Sequence, residues 1–82
     1  MNRGRLDIIG SILFICKNGA KKTEIVYKAN LNFKNAEVYI KWLNDREMII
    51  KEGRFFNITS KGSEMLSNLQ SASSVVDLVY SE

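Results

Sequence analysis

The sequence predicts a mainly helical α+β domain: three helices, a β-hairpin and a C-terminal helix. Apolar residues recur at helical spacing in three stretches before residue 47, switch to extended spacing over residues 49–58, and return to helical spacing from Thr59 onward. At 82 residues, with 45% hydrophobic and 26% charged side chains, the chain has material for one core and too little for two. Residues 1–82 are therefore expected to form one domain.

The first helix is expected over Arg5 to Asn18. Ile8, Ile9, Ile12, Leu13, Ile15 and Cys16 cluster on one broad side, and Gly19 follows as a left-handed stop. Leu6, Gly10 and Phe14 form a second line at i, i+4, i+8. That line either packs under the C-terminal helix or, with Gly10 allowing close approach, meets a second subunit. Thr23 is the expected N-cap of a short second helix whose inward positions are Ile25, Val26 and Ala29. After Asn30, the side chain of Asn32 is placed to cap a third helix from Phe33 to about Arg46, with Ala36, Tyr39, Ile40 and Leu43 facing inward. Two helices joined by so few residues must cross steeply.

Ile49 to Lys51 and Phe55 to Ile58 are the expected hairpin strands, with Glu52-Gly53 or Gly53-Arg54 at the turn. Thr59 then caps the last helix, residues 59–80, where Gly62, Met65, Leu69, Ala72, Val76 and Val79 alternate at spacings of three and four. Ser71, Ser73 and Ser74 weaken this helix in its middle. The spacing fits both a helix that covers the core and a coiled-coil seam between two copies.

Composition removes several function classes. One cysteine, Cys16, excludes an intrachain disulfide framework, and without histidine no Ser-His-Asp or Cys-His arrangement can form. No metal, cofactor or catalytic residue is expected, and Cys16, on the buried side of the first helix, reads as a small core hydrophobe. The longest apolar run, Ile12 to Cys16, is far short of the roughly 20 residues that cross a bilayer, and no long signal-peptide h-region is seen. No membrane partner is expected, and a reducing cytoplasm is the expected location, the host's if the protein is viral. Twelve Lys and Arg against nine Asp and Glu give a formal charge of +3, a mild bias toward polyanions.

The order helix, helix, tight turn, helix, hairpin, helix is that of a winged helix-turn-helix. Six stretches add to that order: Arg5-Leu6-Asp7-Ile8-Ile9, Gly19 to Thr23, Lys28-Ala29-Asn30-Leu31-Asn32, Tyr39-Ile40 followed by Leu43, Met48-Ile49-Ile50, and Ile58-Thr59-Ser60-Lys61-Gly62. In these the chain, from about Arg3 to Leu69, resembles small archaeal winged helix-turn-helix transcriptional regulators. That group includes the chromatin-associated, dimeric Sso10a-type proteins and regulators carried by archaeal viruses and plasmids. The resemblance implies double-stranded DNA as partner and a homodimer joined through the C-terminal helix. One departure is Glu47, where the group usually has glycine.

A helix about 10–12 Å across fits the major groove of B-DNA, so helix 33–46 is the expected recognition helix. With its inward residues assigned, Lys34, Asn35, Glu37, Val38, Lys41 and Trp42 are left to face DNA. Asn35 could pair with adenine, Lys34 and Lys41 could reach guanine or phosphate, and Val38 could touch a thymine methyl group. Glu37 costs affinity near phosphates unless it accepts from cytosine or pairs with Lys34 or Lys41. Trp42 fits both a DNA contact and a half-buried brace under the wing. Lys21, Lys22 and Thr23 at the start of the second helix are expected phosphate contacts. Lys51, Gly53 and Arg54 in the wing, residues 51–55, would lie on the backbone or in the minor groove, and Arg3 and Arg5 form a basic arm.

A lone domain of this kind binds non-specific DNA at only about 10⁻⁴ to 10⁻⁶ M, so two linked copies make functional sense. The candidate dimer residues are Met65, Leu69, Ala72, Val76 and Val79, with Phe14 as a second surface. The function expected is sequence-specific or architectural DNA binding, with transcriptional regulation as its setting. The alternative is a winged-helix protein-interaction module, kept open because Glu24, Glu37, Glu47 and Glu52 dilute the positive field.

Overall fold

The computed structural model describes the backbone of residues 4–80 and the side chains of residues 4–71. Arg3 and the side chains of Ala72, Val76 and Val79, all named above, lie outside the described residues. The elements run α1 (Arg5–Ile15), a 3₁₀ turn (Cys16–Asn18), β1 (Ala20–Lys21), α2 (Lys22–Lys28), α3 (Phe33–Asp45), β2 (Ile49–Glu52), β3 (Phe55–Ile58) and α4 (Ser60–Tyr80). This is the expected order with one addition: β1 turns the two-stranded hairpin into a three-stranded antiparallel sheet, β1-β3-β2. Ala20 pairs with Phe56 and Lys21 with Phe55. Two residues carry too little period to be read from sequence, and only their place beside β3 makes them a strand.

One apolar cluster joins the elements. Ile9, Ile12, Leu13 and Cys16 come from α1 and its 3₁₀ turn, Ile25 and Ala29 from α2 and its cap, and Ala36, Ile40 and Leu43 from α3. Met48, Ile49, Phe56 and Leu66 close it from the sheet and α4. Burial of these groups, at about 25 cal/mol per Å² of apolar surface removed from water, is the main force holding the helices across one another.

Gly19, expected as a left-handed helix stop, has a positive φ of 82° but an extended ψ of 133°. It swings the chain out of the 3₁₀ turn into β1, and a Cβ there would lie 2.8 Å from Asn57 Oδ1. The expected cap at Thr23 is replaced by Lys21, whose φ and ψ of −77° and 158° are those of an N-cap. β1 runs straight into α2, so the helix starts earlier than the Thr signal suggests. Thr23 falls within the exposed first turn.

Asn30, with φ of 56°, ends α2: its N–H donates to the Tyr27 carbonyl at 3.2 Å and the Leu31 N–H to the Val26 carbonyl at 3.0 Å. That pair of bonds is a Schellman cap, and it makes the tight turn between α2 and α3. The Asn32 side chain then caps α3 as expected, accepting from the Asn35 N–H at 2.7 Å. At the wing tip Glu52 pairs with Phe55, leaving Gly53 and Arg54 as the two turn residues. A positive φ at Gly53 but not at Arg54 matches a II′ hairpin turn.

The α4 side of the body is fixed by Thr59 and Gly62. The Thr59 hydroxyl accepts from the Gly62 N–H at 3.1 Å and donates to the Glu47 carbonyl, while the Thr59 N–H donates to the Met48 carbonyl at 3.0 Å. Gly62, read above as the first seam position, is instead pressed on the start of the wing, where a Cβ would lie 2.0 Å from the Met48 carbonyl oxygen. Met65 and Leu69 are half-buried against the core, so the first part of the expected seam covers the domain's own interior. Leu69 reaches α1 beside Gly10, 3.6 Å from where a Cβ would stand. Phe14, for which packing under the C-terminal helix was one expectation, is instead 58% exposed, whereas Gly10, one turn earlier on α1, lies against Leu69.

Candidate nucleic-acid interface

Placing α3 on a wheel of 100° per residue, with Ala36, Ile40 and Leu43 inward, puts Lys34, Val38, Lys41 and Asp45 on the opposite edge. All four are exposed, and Val38 is 62% so. Glu37 flanks this edge on the α2 side, while Asn35 and Trp42 flank it on the α1 side. The six residues expected to read DNA thus divide among three strips of the helix surface.

Charge pairing along these strips differs from the sequence expectation. Glu37 is bound by Lys22 from the start of α2, and neither Lys34 nor Lys41 is its partner. Lys41 is held by Asp45 at 2.9 Å, one turn further along the same edge. Lys34 makes no ion pair among the described residues. Glu24, counted above among the field-diluting carboxylates, has a structural task. It accepts from Lys28 at 2.7 Å and lies near the Lys21 N–H at the start of α2; the Lys28 bond first, and then the nearby charges, hold its carboxyl below the usual range.

Trp42, for which a DNA contact and a brace under the wing were both expectations, is half-buried and lines a groove between α1 and α3 that no wing residue borders. The groove, about 580 Å³, is bounded by Arg5, Leu6, Ile8 and Ile9 on one side and Asn35, Val38, Tyr39 and Trp42 on the other. Arg46, which the sequence reading passed over, stacks its guanidinium 3.9 Å from the Trp42 ring centroid. Arg5 stands at the α1 rim of this groove.

In the wing, Lys51 and Arg54 are exposed, and the Lys51 ammonium hangs over the Phe56 ring at 5.9 Å. Glu52 accepts a hydrogen bond from Asn57 at 2.9 Å. On the opposite face of the sheet Lys21 lies 5.7 Å over the exposed Phe55 ring. Tyr27, on α2, is 86% exposed. An aromatic this exposed breaks no helical pattern, so sequence periodicity alone carried no signal for it. Cys16 is fully buried, and that burial pushes its thiol up to about 12, far from the range of a reactive thiolate.

A family model described as winged helix-turn-helix matches residues 2–76. The chain belongs to this winged helix-turn-helix family. Its relatives include an uncharacterized protein of Methanocaldococcus jannaschii, 37% identical over 81 residues. That match covers 98% of this chain but only 37% of the relative. A second uncharacterized protein of the same archaeon is 37% identical over 68 residues, covering 82% of this chain and 70% of its own length. Among solved structures, Sso10a-2, a DNA-binding protein from Sulfolobus solfataricus, superposes with a TM-score of 0.82 at 25% identity, over 96% of this chain and 87% of that one. A MarR family protein of Mycobacterium tuberculosis shares the fold, with a TM-score of 0.75 at 12% identity over 87% and 56% of the two chains. The archaeal winged-helix resemblance and the fold class read from sequence therefore stand. Within the family layout α2 and α3 are the helix-turn-helix and β2–β3 is the wing. Among the described residues no helix is long and apolar enough to cross a membrane.

Proposed function

We propose that this chain binds double-stranded DNA as a regulator or architectural protein, with α3 in the major groove and the wing on the backbone or in the minor groove. The observation that carries this reading is the outer edge of α3: Lys34, Val38 and Lys41 project from the body with no covering element among the described residues. Lys21 at the start of α2, beside β3, and Lys51 and Arg54 on the wing add exposed cations to that edge. Membership of the winged helix-turn-helix family and the likeness to a DNA-binding archaeal protein point the same way.

Two copies acting together fit the energetics, because a single domain with few phosphate contacts binds weakly at physiological salt. α4 continues past Leu69 to Tyr80 as helix, and Leu6 and Phe14 on α1 are exposed, so both remain candidate contacts between copies. The second reading, a protein-docking module, draws support from the exposed apolar groups Leu6 and Val38 beside the α1–α3 groove.

Titrating fluorescent random duplex at low salt separates the two. Binding at low micromolar concentration, with log affinity falling linearly against log salt, is the expected outcome. Arg54→Ala should weaken every duplex about equally, whereas Lys34→Ala should alter the order of preference among duplexes. Folded protein that fails to bind any duplex at tens of micromolar overturns the DNA reading and favours the protein-docking one.

A further inference from the structure

Glu37, flanking the outer edge of α3, is the one carboxylate of that helix tied to another helix among the described residues: Lys22 Nζ, fifteen positions earlier, donates to its Oε1. We propose that Lys22 is a positioning residue which presents Glu37 as an acceptor to cytosine, so that one base position of the bound site is chosen as cytosine. This inference rests on the DNA-binding reading above and adds its base preference.

A carboxylate brought among phosphates is repelled, and a free glutamate also loses side-chain freedom on ordering. The pair with Lys22 offsets the first and has already taken part of the second, before any DNA arrives. The geometry leaves work for Glu37 to do. Its side chain is 60% exposed against 39% for Lys22, and Oε2 makes no hydrogen bond among the described residues. Glu37 also lies in the N-terminal half of α3, the part of a recognition helix that contacts base edges.

Chemistry then selects the base. Guanine N7 and O6, adenine N7 and thymine O4 are acceptors that a carboxylate rejects. Cytosine N4–H₂ is a donor without a neighbouring acceptor on the same base, and it can donate to Oε2 while Lys22 holds Oε1. Lys22, neutralised by Glu37, then contributes little to general phosphate binding, unlike Lys21 beside it.

The test is selection of bound duplexes from a random pool by the full chain, followed by affinities for single-position variants. It uses the parent, Glu37→Gln, Glu37→Asp, Lys22→Met and Lys22→Arg, each first checked for an unchanged melting profile. The parent should enrich cytosine at one position per binding unit, and exchanging that C·G pair for T·A should lower affinity about tenfold. Glu37→Gln should abolish this preference or turn it toward adenine, whose N6 and N7 match a carboxamide. Should that variant be misfolded, Glu37→Asp, which withdraws the oxygens by one methylene, should show the same loss. Lys22→Met should reduce the discrimination severalfold, and Lys22→Arg should restore it. If Glu37→Gln leaves every position unchanged, or if Lys22→Met weakens all duplexes equally, the proposal is wrong while DNA binding stands. If the parent retains no duplex at low salt, the DNA-binding reading itself fails and this inference goes with it.

Discussion

The turn that enters α3 and the turn that leaves it close their helices with the same pair of backbone bonds. Before α3, Asn30 at φ 56° follows α2, with Asn30 N–H to the Tyr27 carbonyl and Leu31 N–H to the Val26 carbonyl. After α3, Glu47 at φ 58° does the same, with Glu47 N–H to the Asn44 carbonyl at 3.0 Å and Met48 N–H to the Leu43 carbonyl at 2.9 Å. In left-handed backbone the Cβ of either residue crowds the following carbonyl, but the short amide of asparagine can offset this by bonding to nearby backbone, which the longer glutamate side chain does not. The first turn is thus held by local chemistry, whereas the second is held against local preference by what packs on it. Thr59 donates to the Glu47 carbonyl, the Met48 carbonyl accepts from Thr59, and Gly62 presses on that same carbonyl. α4 therefore sets the angle at which α3 hands over to the wing, the angle on which joint contact with one duplex depends in the DNA-binding function proposed above.

The comparison is broken most severely at Gly62. A methyl group there would stand 2.0 Å from the Met48 carbonyl oxygen, so Gly62→Ala must shift α4 or the first residue of the wing. The expected cost is about 3 kcal/mol or more, read as a thermal midpoint lowered by about 12 °C or more. A midpoint within about 2 °C of the parent would mean that α4 does not clamp the wing in this way.

Thr59→Val comes next. Valine keeps the branched shape and removes the hydroxyl that bridges Glu47 and the Gly62 N–H, with an expected loss of about 1–2 kcal/mol. If the bridge also holds the wing angle, this variant should bind duplex more weakly at temperatures where it is still fully folded. Unchanged affinity would confine Thr59 to helix capping.

The two turns also mark how far the sequence could be read. Both caps of α3 and α4, at Asn32 and Thr59, were legible because a polar side chain stands immediately before a run of helical period. The inward faces of α1, α2 and α3 were legible for the same reason of period: Ile12, Ile25, Ala36, Ile40 and Leu43 are all buried. What escaped was set by neighbours distant in the chain. β1 exists only beside β3, Lys21 caps α2 because that strand precedes it, and Glu37 finds Lys22 in preference to the lysines of its own helix. Trp42 faces α1 because α1 crosses at that height, a crossing that no spacing within α3 encodes. The edge residues Lys34, Val38 and Lys41 could be named as outward, yet spacing alone could not choose between Glu37 and Asp45, one turn to either side, as the carboxylate that holds Lys41.

The smallest expected effect concerns Glu47 itself, and it is the sharpest test of the comparison. Glycine enters left-handed backbone without steric cost but loses more freedom on folding, so Glu47→Gly should gain only about 0.5–1 kcal/mol, a rise of roughly 2–8 °C in midpoint. Glu47→Asn should gain less, since asparagine tolerates this conformation while keeping its Cβ. Asn30→Gly serves as the matched control at the other turn and should stay within about 0.5 kcal/mol of the parent, because the residue it replaces is already suited to its place. If Glu47→Gly proves no more stabilising than Asn30→Gly, the left-handed glutamate is not strained, and the two turns differ in composition without differing in what holds them.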